Sequence, residues 1–321
     1  MLKTIVVLDI LSAESAAKLR ALLPPGFVLT HGKAQGDSHL KEIITDADFA
    51  IAGQVGVSGE VLRAAKKLQL LHKWGVGIDN LDLEAAKACG IRVARTTGSN
   101  AVPVAEFAIG LMLSALRCIA YGHAELKQGV WRGGRLPTQT LMLSGKTVGI
   151  IGFGAIGQNL ARLLKSFGCT LLYNKRTPLD PIEEATLGVR YATLPDLLAQ
   201  SDVVSLNCPL TTETTGLINK AAFASMKRTA VLVNVARGGV VVEPDLVWAL
   251  RNGIIHSAAI DVFETEPLPA GSDLLTLDNL IVTPHLAAIA ADNFDKTVRQ
   301  MFDNIERVAQ GKAVAAQDFI V

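Results

Sequence analysis

The chain has few cysteines, almost no net charge, no long uninterrupted apolar run and no low-complexity tract. Its four cysteines in 321 residues, Cys89, Cys118, Cys169 and Cys208, fall at no paired spacing. Neither a disulfide framework nor any metal site is therefore expected; the thiols read as reduced side chains in the core and loops of a cytoplasmic protein. Lys plus Arg total 31 and Asp plus Glu total 30. That balance gives no global attraction for nucleic acid or an acidic membrane, so any preference for anions must come from local sites. The longest uncharged apolar run near a helix is Phe107–Leu116. A membrane span needs about 20 such residues, so this run reads as a buried helix. Near the N-terminus the run Ile5–Leu8 is short and Asp9 interrupts it, so no signal peptide is expected. No repeat at solenoid period is present either.

What is abundant is apolar surface. Half the residues are hydrophobic and 19% are charged, the profile of a globular chain with a large core. At roughly 100–200 residues per domain, this length implies two domains. The first part alternates β-rich runs (Thr4–Leu8, Phe49–Ala52, Leu70–Lys73, Ile91–Ala94) with helical patterns (Ser15–Leu22, Val61–Lys67, Leu83–Cys89). Asp82 can cap the last helix and Gly90 can end it. A second series runs from Lys146, with strands expected at Thr147–Ile151, Thr170–Tyr173, Val203–Leu206, Ala230–Val235, Ser257–Ile260 and Leu280–Thr283. Such alternation implies parallel sheets with helices on their faces. Between the two series, Val104–Leu126 is expected as one long buried helix joining the domains. A final helix is expected over Ala287–Gln310, ended by Gly311 and returning to the first domain.

The sharpest local signal is Gly152-Phe153-Gly154-Ala155-Ile156-Gly157, after one apolar run and opening a helical pattern. In that context the first glycine allows a tight turn, the second lets the backbone approach a pyrophosphate, and the third lets helix and strand pack closely. The helix N-terminus then offers N–H groups and partial positive charge to the phosphates. The bland alternative is a glycine-rich structural turn. The next strand ends in Tyr173-Asn174-Lys175-Arg176-Thr177. NAD-binding units usually carry an acid about 20 residues after the first glycine, for the ribose hydroxyl. Here Asn174 stands 22 positions after Gly152 and is not acidic. Lys175 and Arg176 can neutralise a 2′-phosphate and Thr177 can add a hydroxyl, so NADP is expected over NAD. An ordinary basic surface loop is the alternative.

Three further segments place polar residues after apolar strands: Asn234-Val235-Ala236-Arg237-Gly238-Gly239, Asp261 through Pro267, and Thr283-Pro284-His285-Leu286-Ala287-Ala288. Singly, each has a bland reading as a loop charge or a helix-terminal residue. Together with Gly75-Val76-Gly77-Ile78-Asp79-Asn80, Val104-Ala105-Glu106 and Pro209-Leu210-Thr211, their order and the 29-position step from Arg237 to Glu266 resemble the D-isomer-specific 2-hydroxyacid dehydrogenases over nearly the whole chain.

The resemblance implies a flavodoxin-like substrate domain (1–99 and 288–321) and a Rossmann cofactor domain (100–287), both doubly wound. It implies hydride transfer between NADP(H), with NAD possible, and a small 2-oxo or D-2-hydroxy acid such as glyoxylate or hydroxypyruvate. Arg237, Glu266 and His285 would be catalytic. A guanidinium can clamp a carboxylate and polarise the neighbouring oxo group, an imidazolium can protonate the carbonyl oxygen, and a carboxylate beside the imidazole favours its charged form. The resemblance also puts Asp261 on the nicotinamide carboxamide and the backbone amides of Val76 and Gly77 on the substrate carboxylate. It adds cofactor contacts from Val104, Cys208, Pro209, Thr214, Val235 and Ala236, and a homodimer built through the Val104–Leu126 region. Departures are the missing acid at Asn174 and the alanines Ala287 and Ala288 where many relatives have glycine. With the sequence stopping at Val321, neither an added regulatory domain nor serine feedback is expected. Competing readings are a dinucleotide-sensing corepressor on the same fold, a phosphoglycerate-type dehydrogenase, and a formate or phosphite dehydrogenase. His31, His39, His72, His123 and His256 are expected as packing or surface residues, Trp74 and Trp131 as packing residues, Trp74 beside the carboxylate loop where it can shape the pocket, and Asp79 as a capping or loop residue. Closure of the domains over cofactor is expected from the two-domain layout.

Overall fold

The computed structural model describes residues 2–131 and 136–321. The chain divides into two compact units, residues 1–100 with 290–321 and residues 101–289. In the first, β1 (Lys3–Ile10), β2 (Phe27–Gly32), β3 (Phe49–Ala52), β4 (Leu70–Lys73) and β5 (Arg92–Arg95) alternate with α1 (Ala13–Ala21), α2 (Asp37–Ile44), α3 (Gly59–Ala64) and α4 (Leu83–Ala88). Among the described residues the strands form one parallel sheet in the order β2-β1-β3-β4-β5, the flavodoxin-like winding. The two faces are legible in the alternation. Ile5, Val7, Phe49 and Ile51 enter one buried cluster, and Val6, Leu8, Ala50 and Ala52 enter the other. Burying each large aliphatic side chain contributes about 1.5–3 kcal/mol, so register is strongly fixed on both sides. Asp82 accepts from the Ala85 N–H as the cap of α4, and Gly90 sits at φ 68° just past its end.

The second unit opens with α5 (Ala101–Arg117) and α6 (Ile119–Lys127). Here the single helix expected over Val104–Leu126 is corrected. The chain breaks at Cys118, in the left-handed region at φ 54°, and the two helices meet at a bend of 68°. The Leu116 carbonyl, which would accept within a continuing helix, instead takes the N–H of Leu141. α5 is buried along one side, whereas α6 has no buried residue at all. Trp131, expected to pack, is 83% exposed. Among the described residues no single helix is long and apolar enough to cross a membrane.

There follow β6 (Thr147–Ile151), α7 (Ala155–Leu164), β7 (Thr170–Asn174), α8 (Pro181–Leu187), β8 (Arg190–Tyr191), α9 (Leu194–Gln200), β9 (Val203–Leu206), α10 (Lys220–Ser225), β10 (Val231–Asn234), α11 (Glu243–Arg251), β11 (Ser257–Ile260) and β12 (Leu280–Val282). The sheet order is β12-β11-β10-β9-β6-β7-β8, all parallel among the described strands, which is the Rossmann winding extended by one strand. The order reverses at β6, between β9 and β7, where ligands of open α/β sheets bind.

The last helix, α12, spans Phe294–Ala309 and belongs to the first unit. Its Val298, Met301, Phe302, Ile305 and Val308 join the cluster of Ile5, Val7 and Phe49. The expected start at Ala287 is corrected by seven residues. After Ala287 the chain makes only an isolated turn, Ile289 N–H to the Leu286 carbonyl, and Ala290 is extended at φ −138° and ψ 124°, which breaks the helical path. Gly311 follows the end of α12 at φ 76°.

Candidate active site

The second unit gathers most of the expected residues at the carboxyl ends of its strands. β6 runs straight into Gly152, whose φ of 88° a side chain would rarely adopt. A Cβ there would stand 2.4 Å from the Cys208 backbone nitrogen, so the turn lies directly on the end of β9. Gly157 is tight for another reason: a Cβ would meet the Gly152 carbonyl at 2.6 Å, across the strand–helix contact. Gly154, by contrast, faces open space, with nothing within 4 Å of the Cβ position. The three glycines thus show the three requirements of a pyrophosphate turn. Phe153 between them is 2% exposed, and its ring lies 4.5 Å from that of Tyr173. α7 begins with Ala155, Ile156 and Gly157, has no side-chain cap and no acid in its first turn, and so presents N–H groups to an anion.

Beside this turn, Asn174 ends β7 and donates its side-chain amide to the Ala192 carbonyl at 2.9 Å. Lys175 is half-buried and Arg176 and Thr177 are exposed. The Glu213 carboxyl is held below its ordinary value, first by the Thr211 hydroxyl and last by the field of Arg176. Cys208 is buried after β9, and burial pushes its thiol up to about 11. Beyond it the Thr214 hydroxyl donates to the Pro209 carbonyl at 2.6 Å and accepts the Thr211 N–H at 2.8 Å, closing that loop on itself. Val104, on α5, is 3% exposed and lies in the core with Val148 and Ile150.

At the end of β10, Asn234 is 1% exposed and clamps the loop after it. Its amide donates to the Arg237 carbonyl at 3.0 Å and its side-chain oxygen accepts the Ala236 N–H at 3.0 Å. Val235 and Ala236 are buried, and the Arg237 guanidinium donates back to the Ala236 carbonyl at 2.8 Å. A Cβ on the next residue, Gly238, would fall 1.8 Å from the backbone carbon of Phe263. The Arg237 loop therefore rests against the segment leading to Glu266.

Glu266 uses both oxygens. One accepts the Phe263 N–H at 3.0 Å, and the other lies 2.8 Å from His285 Nδ1. Burial works to raise its carboxyl, but the bonds from His285 and Phe263 and the fields of His285 and Arg237 outweigh burial and hold it below the ordinary value. His285 sits at φ 53°, in the region that favours glycine. With Nδ1 engaged, Nε2 has no partner among the described residues, and the side chain is 25% exposed.

Asp261, the residue after β11, explains how that backbone is held. Its carboxylate is fully buried and accepts from the Thr283 hydroxyl at 2.6 Å and from the N–H groups of Leu286 and Ala287 at 2.9 and 2.8 Å. The side chain expected on a cofactor carboxamide is thus engaged by the chain's own donors, with its oxygens committed on both sides of His285.

Val76 and Gly77 belong to the first unit, after β4. Gly75, at φ 131°, donates its N–H to the Thr96 hydroxyl at 2.9 Å, and Arg95 Nη1 donates to the Val76 carbonyl at 3.3 Å. Trp74 packs edge-on to Phe294, ring centres 5.8 Å apart. His72 is wholly buried. Asn234 and Tyr173 stand in motifs quoted above but had no role of their own there, and Arg95 was not singled out. The available signal was a hydrogen-bonding side chain at the last turn of a strand that otherwise reads apolar, where burial demands a partner.

The sequence profile of the D-isomer specific 2-hydroxyacid dehydrogenase NAD binding domain matches residues 109–287. The hydroxypyruvate reductase of Thermotoga maritima is 39% identical over 258 residues, covering 79% of this chain and 82% of that protein. The D-3-phosphoglycerate dehydrogenase of Archaeoglobus fulgidus is also 39% identical, over 78% of this chain; the chain spans only 47% of that protein's length. Among solved structures, the NADPH-dependent glyoxylate/hydroxypyruvate reductase of Sinorhizobium meliloti, in complex with NADP and malonate, superposes with a TM-score of 0.86 at 30% identity, covering 99% of this chain and 98% of that one. The chain belongs to the D-isomer specific 2-hydroxyacid dehydrogenases.

Proposed function

From that membership, we propose that the chain reduces a small 2-oxo acid of the glyoxylate or hydroxypyruvate kind to the D-2-hydroxy acid, with NADPH as the preferred reductant. The observation that carries the reading is the 2.8 Å contact of Glu266 with His285 Nδ1, which leaves Nε2 without a partner among the described residues, at the carboxyl end of the sheet where Arg237 and the glycine turn also lie. The turn fits a dinucleotide, because Gly154 leaves space outside it and α7 presents uncapped N–H groups. When bound, the nicotinamide supplies the hydride. Arg237 binds the substrate carboxylate and draws charge from the oxo oxygen. His285 delivers a proton to that oxygen from Nε2, and Glu266, kept anionic, stabilises the imidazolium that does so. In the reverse direction the same nitrogen takes the hydroxyl proton.

The preference for NADPH is supported by Asn174 in place of an acid and by the adjoining Lys175, Arg176 and Thr177. The reading further assigns the N–H groups of Val76 and Gly77 to the substrate carboxylate. In support, a trans peptide whose Val76 carbonyl is taken by Arg95 turns the Gly77 N–H the opposite way. It includes a cytoplasmic setting, in keeping with four unpaired cysteines. It also includes a homodimer through the α5–α6 region, where Ile119, Leu126 and Trp131 are 56%, 55% and 83% exposed. Light scattering at the mass of one chain would remove the dimer. A panel of 2-oxo acids, each followed with NADPH and with NADH, tests the activity itself. Turnover of glyoxylate or hydroxypyruvate with a higher kcat/KM for NADPH is expected. No turnover of any 2-oxo acid ends the reading, and a clear NADH preference ends its cofactor half.

A further inference from the structure

We propose that Tyr173 is a positioning residue that shapes the 174–179 loop for the 2′-phosphate of NADP. The proposal rests on the NADPH reading above and assigns a new role to a side chain beneath that site. Tyr173 is the penultimate residue of β7 and is wholly buried. A buried phenol needs partners for its hydroxyl, and this one has two on opposite sides. It donates to Glu184 Oε1 on α8 at 2.7 Å, and it accepts the backbone N–H of Leu179 at 2.7 Å. The same glutamate oxygen takes the N–H of Tyr191 on β8 at 3.3 Å. Burial first, then the bond to Glu184, pushes the phenol up to about 12, so the hydroxyl keeps its proton at any working pH.

The bond to Leu179 closes a small ring of chain. The loop leaves β7 at Asn174, which is anchored on Ala192, and returns to the Tyr173 hydroxyl at Leu179. Lys175, Arg176 and Thr177 lie on the arc between these two anchors. Beyond it, Asp180 caps α8 through the N–H groups of Ile182 and Glu183. Two basic side chains bind one phosphate more tightly when the backbone between them is already fixed, because ordering it during binding would consume part of the interaction energy. The Tyr173 ring also lies 4.5 Å from that of Phe153, between Gly152 and Gly154. One buried side chain thus touches the turn expected to take the pyrophosphate and ties down the loop expected to take the 2′-phosphate. Its hydroxyl serves only the second, so removing the oxygen separates the two.

The test is calorimetric binding of 2′,5′-ADP and of 5′-AMP to the wild type, Tyr173→Phe and Glu184→Met. Wild type binds 2′,5′-ADP more tightly. In Tyr173→Phe that ligand weakens about tenfold while 5′-AMP stays within about twofold, the scale of one lost hydrogen bond in the support of a charged contact. Glu184→Met moves in the same direction, and kcat at saturating NADPH is unchanged in both. Equal weakening of the two ligands, or of neither, overturns the positioning role. If Tyr173→Phe does not fold, Glu184→Met, at a half-buried helical position, decides by the same criterion. A wild type that does not prefer 2′,5′-ADP brings down the NADPH reading itself, which the variants' behaviour alone would not do.

Discussion

The backbone N–H of His285 donates to the carbonyl of Asp261 at 2.9 Å, and the Asp261 carboxylate takes the N–H groups of the two residues that follow. Four bonds from one buried residue, counting that of the Thr283 hydroxyl, thus fix a histidine whose φ of 53° costs on the order of 1–3 kcal/mol outside glycine. Asp261→Asn turns an acceptor into a donor facing N–H groups and releases that backbone. kcat is expected to fall by about 10²-fold, the lower end of what losing an acid–base residue costs. Steady-state kinetics check it; a kcat within twofold of wild type would mean that the loop holds itself.

His285→Ala removes the proton donor, and a loss of roughly 10²–10⁴ in kcat is expected. Glu266→Gln keeps a partner for Nδ1 but not the charge, so the loss is smaller and the pH profile moves. The Glu266 carboxyl is held below its ordinary value in the folded protein. Its stabilising contribution is therefore present above the unfolded carboxyl value and is lost as pH falls through the lowered one. The acid limb of kcat/KM in wild type lies lower for the same reason. An unchanged acid limb in Glu266→Gln would show that another group sets it.

Arg176→Ala is expected to raise the KM for NADPH about tenfold or more, the scale of a lost hydrogen bond between charged partners, and to leave that for NADH nearly unchanged. Equal effects on the two coenzymes would place the guanidinium elsewhere. The effect should shrink as salt is raised, because the loop is exposed.

A buried histidine predicts an acid weakness remote from the chemistry. His72 Nδ1 lies 3.0 Å from the Lys73 carbonyl, and the Asn304 amide lies 3.2 Å from Nε2. The ring is neutral in this arrangement, and burial pushes it down to about 4 from 6.5. Because the folded value is the lower one, the contribution is complete above pH 6.5 and is lost as pH falls towards 4. At 1.36 kcal/mol per unit, that loss is about 3 kcal/mol. Chemical denaturation at stepped pH measures it. His72→Gln, which carries no titrating ring, should flatten this part of the curve.

Much of this was legible before any coordinates. β3, β4, β6, β9 and β11 were bounded residue for residue, because parallel strands covered on both faces read as continuous apolar runs. The edge strands β2 and β8 were not seen. β2 carries Thr30 and His31 among its apolar residues, and β8 has only two residues. The break at Cys118 was hidden for a different reason. Nothing in Leu116-Arg117-Cys118-Ile119 opposes a helix locally; the interruption comes from Leu141, far along the chain. At the site, Arg237, Glu266 and His285 follow apolar strands, but singly each read as an ordinary loop or helix-terminal residue, and only the resemblance of the whole motif set gave them their roles. Asp261 belonged to the same set, but the use the fold makes of its carboxylate depends on donors more than 20 residues away. Tyr173 looked like any other residue of its strand.

The first unit draws α12 from beyond the whole of the second. A nascent chain therefore completes β1 to β5 long before Val298, Met301, Phe302 and Ile305 exist to cover Ile5, Val7, Phe49 and Ile51. At roughly 5–20 residues per second, some 200 residues of synthesis leave that side of the sheet covered only by α1, through Leu19, for about 10–40 seconds. The contiguous second unit has no such wait. Newly made protein thus passes through a stage with one finished half and one sticky half, when a chaperone that shields hydrophobic surface has most to do.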